Sequence, residues 1–274
     1  FRTNLHRRLV MSDKANELAR LSAPQFLRDD TIVALATKVL GTEESARTVL
    51  SGALSLYNAT PQLANVKPQS FYNAVISSAS LGLSVDKNLG FAAIIPYKDQ
   101  AQLQIMVKGF KQLAIRSGQF DVLNYGEVRE GEIGERDRES GEIEFRWESD
   151  DEKRSKLPVI GYFAYYKLKN GFSKRLYMSN FQIKEHAQKY SQTYRSGKGV
   201  WYDNYESMAK KTVVKLLLSS GEAPLSPQLQ QAIVEDQRVD GVYQDNKPQL
   251  EVEHREVIDG EPTEDSKKGL EDGR

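Results

Sequence analysis

The sequence predicts an α+β fold in which antiparallel hairpins are backed by helices. Three observations carry that expectation. Two pairs of β-prone runs flank short turn signals: Leu89–Tyr97 with Ala101–Met106 about Lys98-Asp99-Gln100, and Pro158–Lys169 with Phe172–Ser179 across Asn170-Gly171, a type I′ signal. Residues 119–148 alternate Val, Tyr, Ile and Phe with charged side chains, the pattern of twisted antiparallel strands with one wet face, and Gly recurs there at 126, 131, 134 and 141. Around these runs, apolar residues return at helical spacing.

Residues 1–12 differ in character from the rest of the chain and are expected to be a non-native or disordered segment. Residues 13–59 read as an N-terminal helical region. Asp29-Asp30-Thr31 caps a helix carrying Ile32, Val33, Leu35, Ala36 and Val39, and Gly41 ends it. Thr42-Glu43-Glu44-Ser45 opens the next, with Ala46, Val49, Leu50, Ala53, Leu54 and Tyr57 at helical spacing. After Pro61 and Pro68, Ser70–Leu83 forms a third helix with Phe71, Ala74, Val75 and Ala79 on one side. Behind the first hairpin, Val107–Ser117 returns to helix and Gly118 stops it. Behind the second come a short helix at Asn180–Tyr190, a polar glycine-containing loop at Gln192–Val200 and a strong helix at Asp203–Ser219. Pro224-Leu225-Ser226-Pro227 then precedes a short helix through Gln230 and Ile233. Residues 60–234 are thus the expected core, and 235–274 an acidic, largely disordered tail.

The 38 Lys and Arg balance the 38 Asp and Glu, but the signs are segregated. From Glu222 to Arg274 there are 14 acidic and 6 basic residues, and residues 126–152 hold 12 acidic and 4 basic. The remainder is strongly cationic, with 14 basic residues in 153–218 against Glu185, Asp203 and Glu206. A basic body with an acidic tail suits a polyanion-binding protein. The absence of Cys excludes disulfides, thiolate metal sites and cysteine nucleophiles, and suits a reducing cytoplasm. His6, His186 and His254 lack the spacing of a metal site. No P-loop, dinucleotide-binding or Gly-x-Ser-x-Gly motif is present. No run approaches the roughly 18 apolar residues of a membrane helix, and no signal-peptide pattern opens the sequence. The acids of 127–152 leave one enzymatic alternative, a metal-dependent nuclease; the plainer reading is that they face water on exposed strands.

Two helices present cations in a way that suits phosphate binding. At about 100° per residue, Lys111, Gln112 and Arg116 share the face of Lys108, with Ile115 the exception, while Phe110, Leu113 and Ala114 lie opposite. On the Asp203–Ser219 helix, Met208, Val213, Leu216 and Leu217 can pack inward, Lys211 and Lys215 share a face, and Lys210 sits on a neighbouring edge. Two lysines four apart repel by about a few tenths of a kcal/mol unless an anion lies nearby. Between these helices, Lys184–Tyr190 and Tyr194–Tyr202 interleave basic residues with rings beside glycines, a composition suited to single-stranded nucleic acid. Trp201 fits either a base-stacking role or the core of the next helix.

The chain resembles the RecT family of phage-type single-strand annealing recombinases from about Thr60 to Val234. The matching pieces, in order, are Ser70-Phe71, Ala79-Ser80-Leu81-Gly82-Leu83, Gly90, Ile94-Ile95-Pro96-Tyr97, Gln104-Ile105-Met106-Val107-Lys108-Gly109-Phe110-Lys111, Ala114-Ile115-Arg116-Ser117-Gly118 and Val128-Arg129-Glu130-Gly131-Glu132. Gly199-Val200-Trp201 and Tyr205-Glu206-Ser207-Met208-Ala209-Lys210-Lys211-Thr212 are the most specific. The resemblance implies a bent antiparallel sheet backed by helices. It also implies a cytoplasmic, phage- or prophage-encoded protein that binds single-stranded DNA, oligomerises as a ring or helical filament, and anneals complementary strands without ATP. No cofactor is expected beyond magnesium as a modulator of annealing, whose requirement the sequence leaves open. The expected DNA-binding residues are Lys108, Lys111, Arg116, Arg129, Arg195, Trp201, Lys210, Lys211 and Lys215. The N-terminal helices are expected to contact the next subunit. The tail is expected to compete with DNA or meet a single-strand binding protein, and an exonuclease is the expected upstream partner. A passive single-strand binding protein is the other alternative to annealing.

Overall fold

The structure is a computed structural model, and it describes residues 17–239 apart from 19, 138, 140 and 198. The expectations for residues 1–12 and for the acidic tail beyond 239 lie outside the described residues. The fold is α+β with antiparallel sheets, as the sequence predicts.

Four helices open the described chain: α1 (Ala23–Arg28), α2 (Asp30–Leu40), α3 (Glu43–Asn58) and, after a 3₁₀ turn at Pro61–Asn65, α4 (Pro68–Ser80). Their starts obey local chemistry. Asp29 Oδ1 accepts the Thr31 N–H at 2.8 Å and Thr42 Oγ1 accepts the Ser45 N–H at 3.1 Å, each satisfying a donor the helix leaves unpaired. These helices are not a separate body. Phe26 meets Tyr72 edge-on, and Phe26, Ile32, Leu50 and Phe71 belong to one core with residues of the hairpins and the later helices.

The first hairpin pairs β1 (Ala92–Tyr97) with β2 (Gln100–Ile105), Tyr97 opposite Gln100. Its two-residue turn places Lys98 at φ 55°, the one non-glycine residue with positive φ among those described. Helix α5 (Val107–Arg116) comes next, then a three-stranded sheet in the order β3-β6-β7, formed by Phe120–Arg129, Val159–Leu168 and Ser173–Ser179. Register shifts near Phe120/Val122 and Val128/Arg129 bend β3. A small pair, β4 (Ile133–Arg136) and β5 (Ile143–Phe145), and helix α6 (Asp151–Lys156) fill the connection. The β6–β7 turn differs from the type I′ expectation. The Gly171 N–H bonds Leu168 O, the Leu168 N–H bonds Phe172 O, and only Gly171 has positive φ. A type I turn closed by a glycine bulge meets those bonds, whereas type I′ would need Asn170 at positive φ as well.

Alternation on β6 divides the sheet's faces. Tyr162, Ala164, Tyr166 and Leu168 are buried toward the helices. Phe163 faces the other way, against Phe145 and Trp147, with ring centroids 5.6 and 5.2 Å away. The helices after the sheet are α7 (Asn180–Tyr190), two short turns α8 (Gln192–Arg195) and α9 (Val200–Asp203), α10 (Tyr205–Leu218) and α11 (Pro227–Val239). Where the sequence reads a loop over 192–200, Ser191 and Gly199 open helical turns instead. Helix α11 continues past the expected core boundary at 234 and carries Asp236, which is buried.

Candidate nucleic-acid interface

Helix α5 packs beside α10, and both contact β3; α10 also crosses β6. The approach of α5 to β1 is close enough to fix one residue type. A Cβ on Gly109 would lie 2.2 Å from Phe91 O, so only glycine fits. With Gly109, Phe110, Leu113 and Ala114 buried, α5 turns Ile115 and Lys108 to solvent and leaves Lys111 half-buried at its outer edge. Lys111 Nζ lies 5.8 Å from the Tyr125 ring centroid, within cation–π range. Lys108 and Lys111 are therefore two expected site residues whose outward placement the fold keeps.

Beside them runs an ion network. Lys210 Nζ reaches Glu127 Oε2 at 3.3 Å and also pairs with Glu206 on its own helix. Glu127 Oε1 continues to Arg154 Nη1 at 3.3 Å, and Arg154 Nε bonds Glu132 Oε1 at 2.6 Å. The second Glu132 oxygen accepts the Arg129 N–H at 2.7 Å. Burial pushes the Glu127 and Glu132 carboxyls up, but the cations and N–H donors around them prevail and hold both below the ordinary carboxylate range. Burial likewise disfavours charge on Lys210, yet Glu206 and Glu127 hold its pKa above that of an ordinary lysine. The reading of the 127–152 acids as water-facing needs correction here, because Glu132 is buried and Glu127 is half-buried in ion pairs. Among the described residues, no three His, Asp or Glu side chains converge as a metal site would require.

The other arginines hold backbone. Arg116 Nη2 donates to Gly82 O at 3.0 Å at the end of α4. Arg129 Nη1 donates to Leu157 O at 2.7 Å and Ser155 O at 3.1 Å, tying the end of α6 to β3. Arg195 Nη1 donates to Lys189 O at 2.9 Å and Gln188 O at 3.2 Å, closing the C-terminus of α7. Arg116 and Arg195 are still exposed and can meet a ligand; Arg129 is largely covered.

Three expected site residues lie in the interior, which corrects the groove read from sequence. Trp201 is buried, edge-on to Tyr194 and tilted against Tyr205. Lys211 and Lys215 are 4% and 10% exposed, with Nζ atoms 2.5 and 3.0 Å from the two oxygens of Asp236, itself fully buried. The anion that two neighbouring lysines require is supplied from within the chain. Helix α11 packs on β2 and α5, burying Leu229, Ala232, Ile233 and Asp236 along one stripe, and Asp236 reaches across to α10. The acid at the fourth stripe position is the sequence signal that could have found this contact. Burial raises the Asp236 carboxyl, but Lys211 and Lys215 outweigh it and hold its pKa below the ordinary value.

Comparison with known proteins adds an independent line. A family model described as "RecT family" matches residues 47–251, which takes in both α5 and α10. The uncharacterized protein YqaK of Bacillus subtilis is 37% identical over 242 residues, covering 87% of this chain and 79% of the relative. Protein RecT of Escherichia coli is 30% identical over 192 residues, covering 65% of this chain and 66% of that protein.

Proposed function

Because the chain belongs to the RecT family, whose role is recombination by single-strand annealing, we propose that it binds single-stranded DNA as an oligomer and anneals complementary strands without ATP. The observation that carries this reading is the family match running unbroken across both helices of the α5–α10 seam. Lys108 and Lys111 dock phosphates, with Arg116 and Arg195 at the flanks. Lys210, balanced between two carboxylates, ties α10 to β3 more than it binds DNA. Phosphate contacts align a strand but carry no sequence information, so specificity comes from base pairing between the strands. Annealing of this kind needs no nucleotide or metal cofactor, and magnesium acts at most through the DNA. Neighbouring copies extend the surface head to tail, with the N-terminal helices α1–α3 as the contact. No helix among the described residues is long and apolar enough to cross a membrane.

The test is annealing of two complementary fluorescent oligonucleotides, without nucleotide, at two salt concentrations. Pairing is expected to be faster with protein than without and to slow as salt rises. Tight binding without acceleration would make the protein a passive single-strand binder. Shortened strands in the presence of magnesium or manganese would make it a nuclease. Either outcome overturns the proposal.

A further inference from the structure

We infer that the outer surface of α7–α9 is a stacking site for unpaired nucleobases, with Phe181 and Tyr202 as its rings. The inference rests on the proposed single-strand binding and assigns a chemistry to one part of the surface. Phe181, one residue into α7, is 67% exposed, and Tyr202 on α9 is 54% exposed.

The fold holds both rings outward. Ile183 and Ala187 are fully buried and fix the inward face of α7. Its first turn is pinned by Ser179, whose N–H donates to Gln182 Oε1 at 3.0 Å while its Oγ accepts the Gln182 N–H at 3.2 Å. Phe181, Lys184 and Gln188 therefore share the outer face, bordering an open depression of about 750 Å³ that Lys189 and Tyr194 also line. Tyr202 is anchored as well: its hydroxyl donates to Tyr194 O at 3.0 Å, and its ring stacks on Tyr194 at 5.7 Å and 24°. Tyr194 in turn meets the buried Trp201 edge-on. The stack is thus built on the core, and Tyr202 is its solvent-side ring.

The charges around the rings select the occupant. Lys184 and Lys189 are exposed on the depression and Arg195 beside it, against Glu185 on the depression and Asp203 next to Tyr202, so cations outnumber acids around the rings. Rings set among cations match a single strand, whose bases offer π faces and whose phosphates are spaced anions. A duplex hides its base faces and gains only the charge. The site therefore favours a strand before it pairs and releases its bases when it does.

Two measurements on the full chain test this. An oligonucleotide carrying 5-iododeoxyuridine is irradiated with the protein, and the cross-linked peptides are mapped; Phe181 or Tyr202 is the expected attachment. In parallel, the affinities of oligo(dT) and of an abasic strand of equal length are compared for wild type and for the Phe181→Ala/Tyr202→Ala variant. Wild type is expected to prefer oligo(dT) by at least about fivefold, a low value for one stacked base. The variant is expected to bind both strands alike, with the salt dependence of wild type. An unchanged preference overturns the inference. So does a variant whose particle mass by light scattering falls while its preference persists, which would place the rings between copies of the chain. Failure of wild type to bind either strand would instead overturn the single-strand reading itself.

Discussion

Replacing Asp236 with alanine is expected to remove about 3–5 kcal/mol of folding stability, the range for breaking a buried ion pair by deleting one partner. Asp236 is fully buried, and its two oxygens lie 2.5 and 3.0 Å from Lys211 and Lys215. Without the carboxylate, two ammonium groups four residues apart would share a poorly solvated site. They would have to lose protons, admit water or push α11 away. Detaching α11 would also expose the buried Leu229, Ala232 and Ile233. At about 2–4 °C per kcal/mol for a domain of this size, the melting temperature should fall by roughly 6–20 °C. The acid limb gives a second readout. The Asp236 pKa is lowered in the fold by the two lysines, so its contribution is complete above the unfolded carboxyl value and is lost as pH falls through the folded one. Asp236→Ala should lose stability less steeply with acid than wild type. Adding Lys211→Met and Lys215→Met should restore much of the loss, because the uncompensated charge goes with them. The assay is thermal and urea unfolding of wild type, the single variant and its combinations with the lysine replacements, at neutral and acidic pH. A melting temperature within about 2 °C of wild type for Asp236→Ala would contradict a buried ion cluster and return Lys211 and Lys215 to the surface.

The same geometry sets three further expectations. Lys108→Ala and Lys111→Ala should each lower the slope of log affinity for single-stranded DNA against log salt by about 0.7, measured by fluorescence anisotropy; an unchanged slope would remove that lysine from the phosphate surface. Gly109→Ala, whose new methyl would lie 2.2 Å from Phe91 O, should destabilise by at least about 1–3 kcal/mol in urea unfolding, and a neutral effect would mean that α5 sits further from β1. Lys98→Gly should raise stability by about 0.5 kcal/mol in the same assay, because it relieves left-handed strain of about 1–2 kcal/mol and gives part of it back as chain entropy; a loss would show the turn is not strained.

Features that depend on near neighbours were legible in the sequence. Apolar period and caps placed α2, α3, α5 and α7, since Asp29, Thr42 and Gly41 act within one turn of themselves. Turn residues placed both hairpins, although a dipeptide could not distinguish a type I′ turn from a glycine bulge, which differ in backbone hydrogen bonds and in one φ angle. Ordered motifs identified the family. Which cations face water was settled only by tertiary contacts. Lys108 and Lys211 look equivalent in sequence, each a lysine on an amphipathic helix. The outer face of α5 stays open at Lys108, whereas α11 returns from later in the chain and delivers Asp236 to Lys211 and Lys215 on α10. Arg129, Arg154 and Lys210 are likewise engaged by acids or carbonyls brought up from α6 and the strands. Charge is carried by residues, but its availability depends on long-range contacts that a local pattern does not contain.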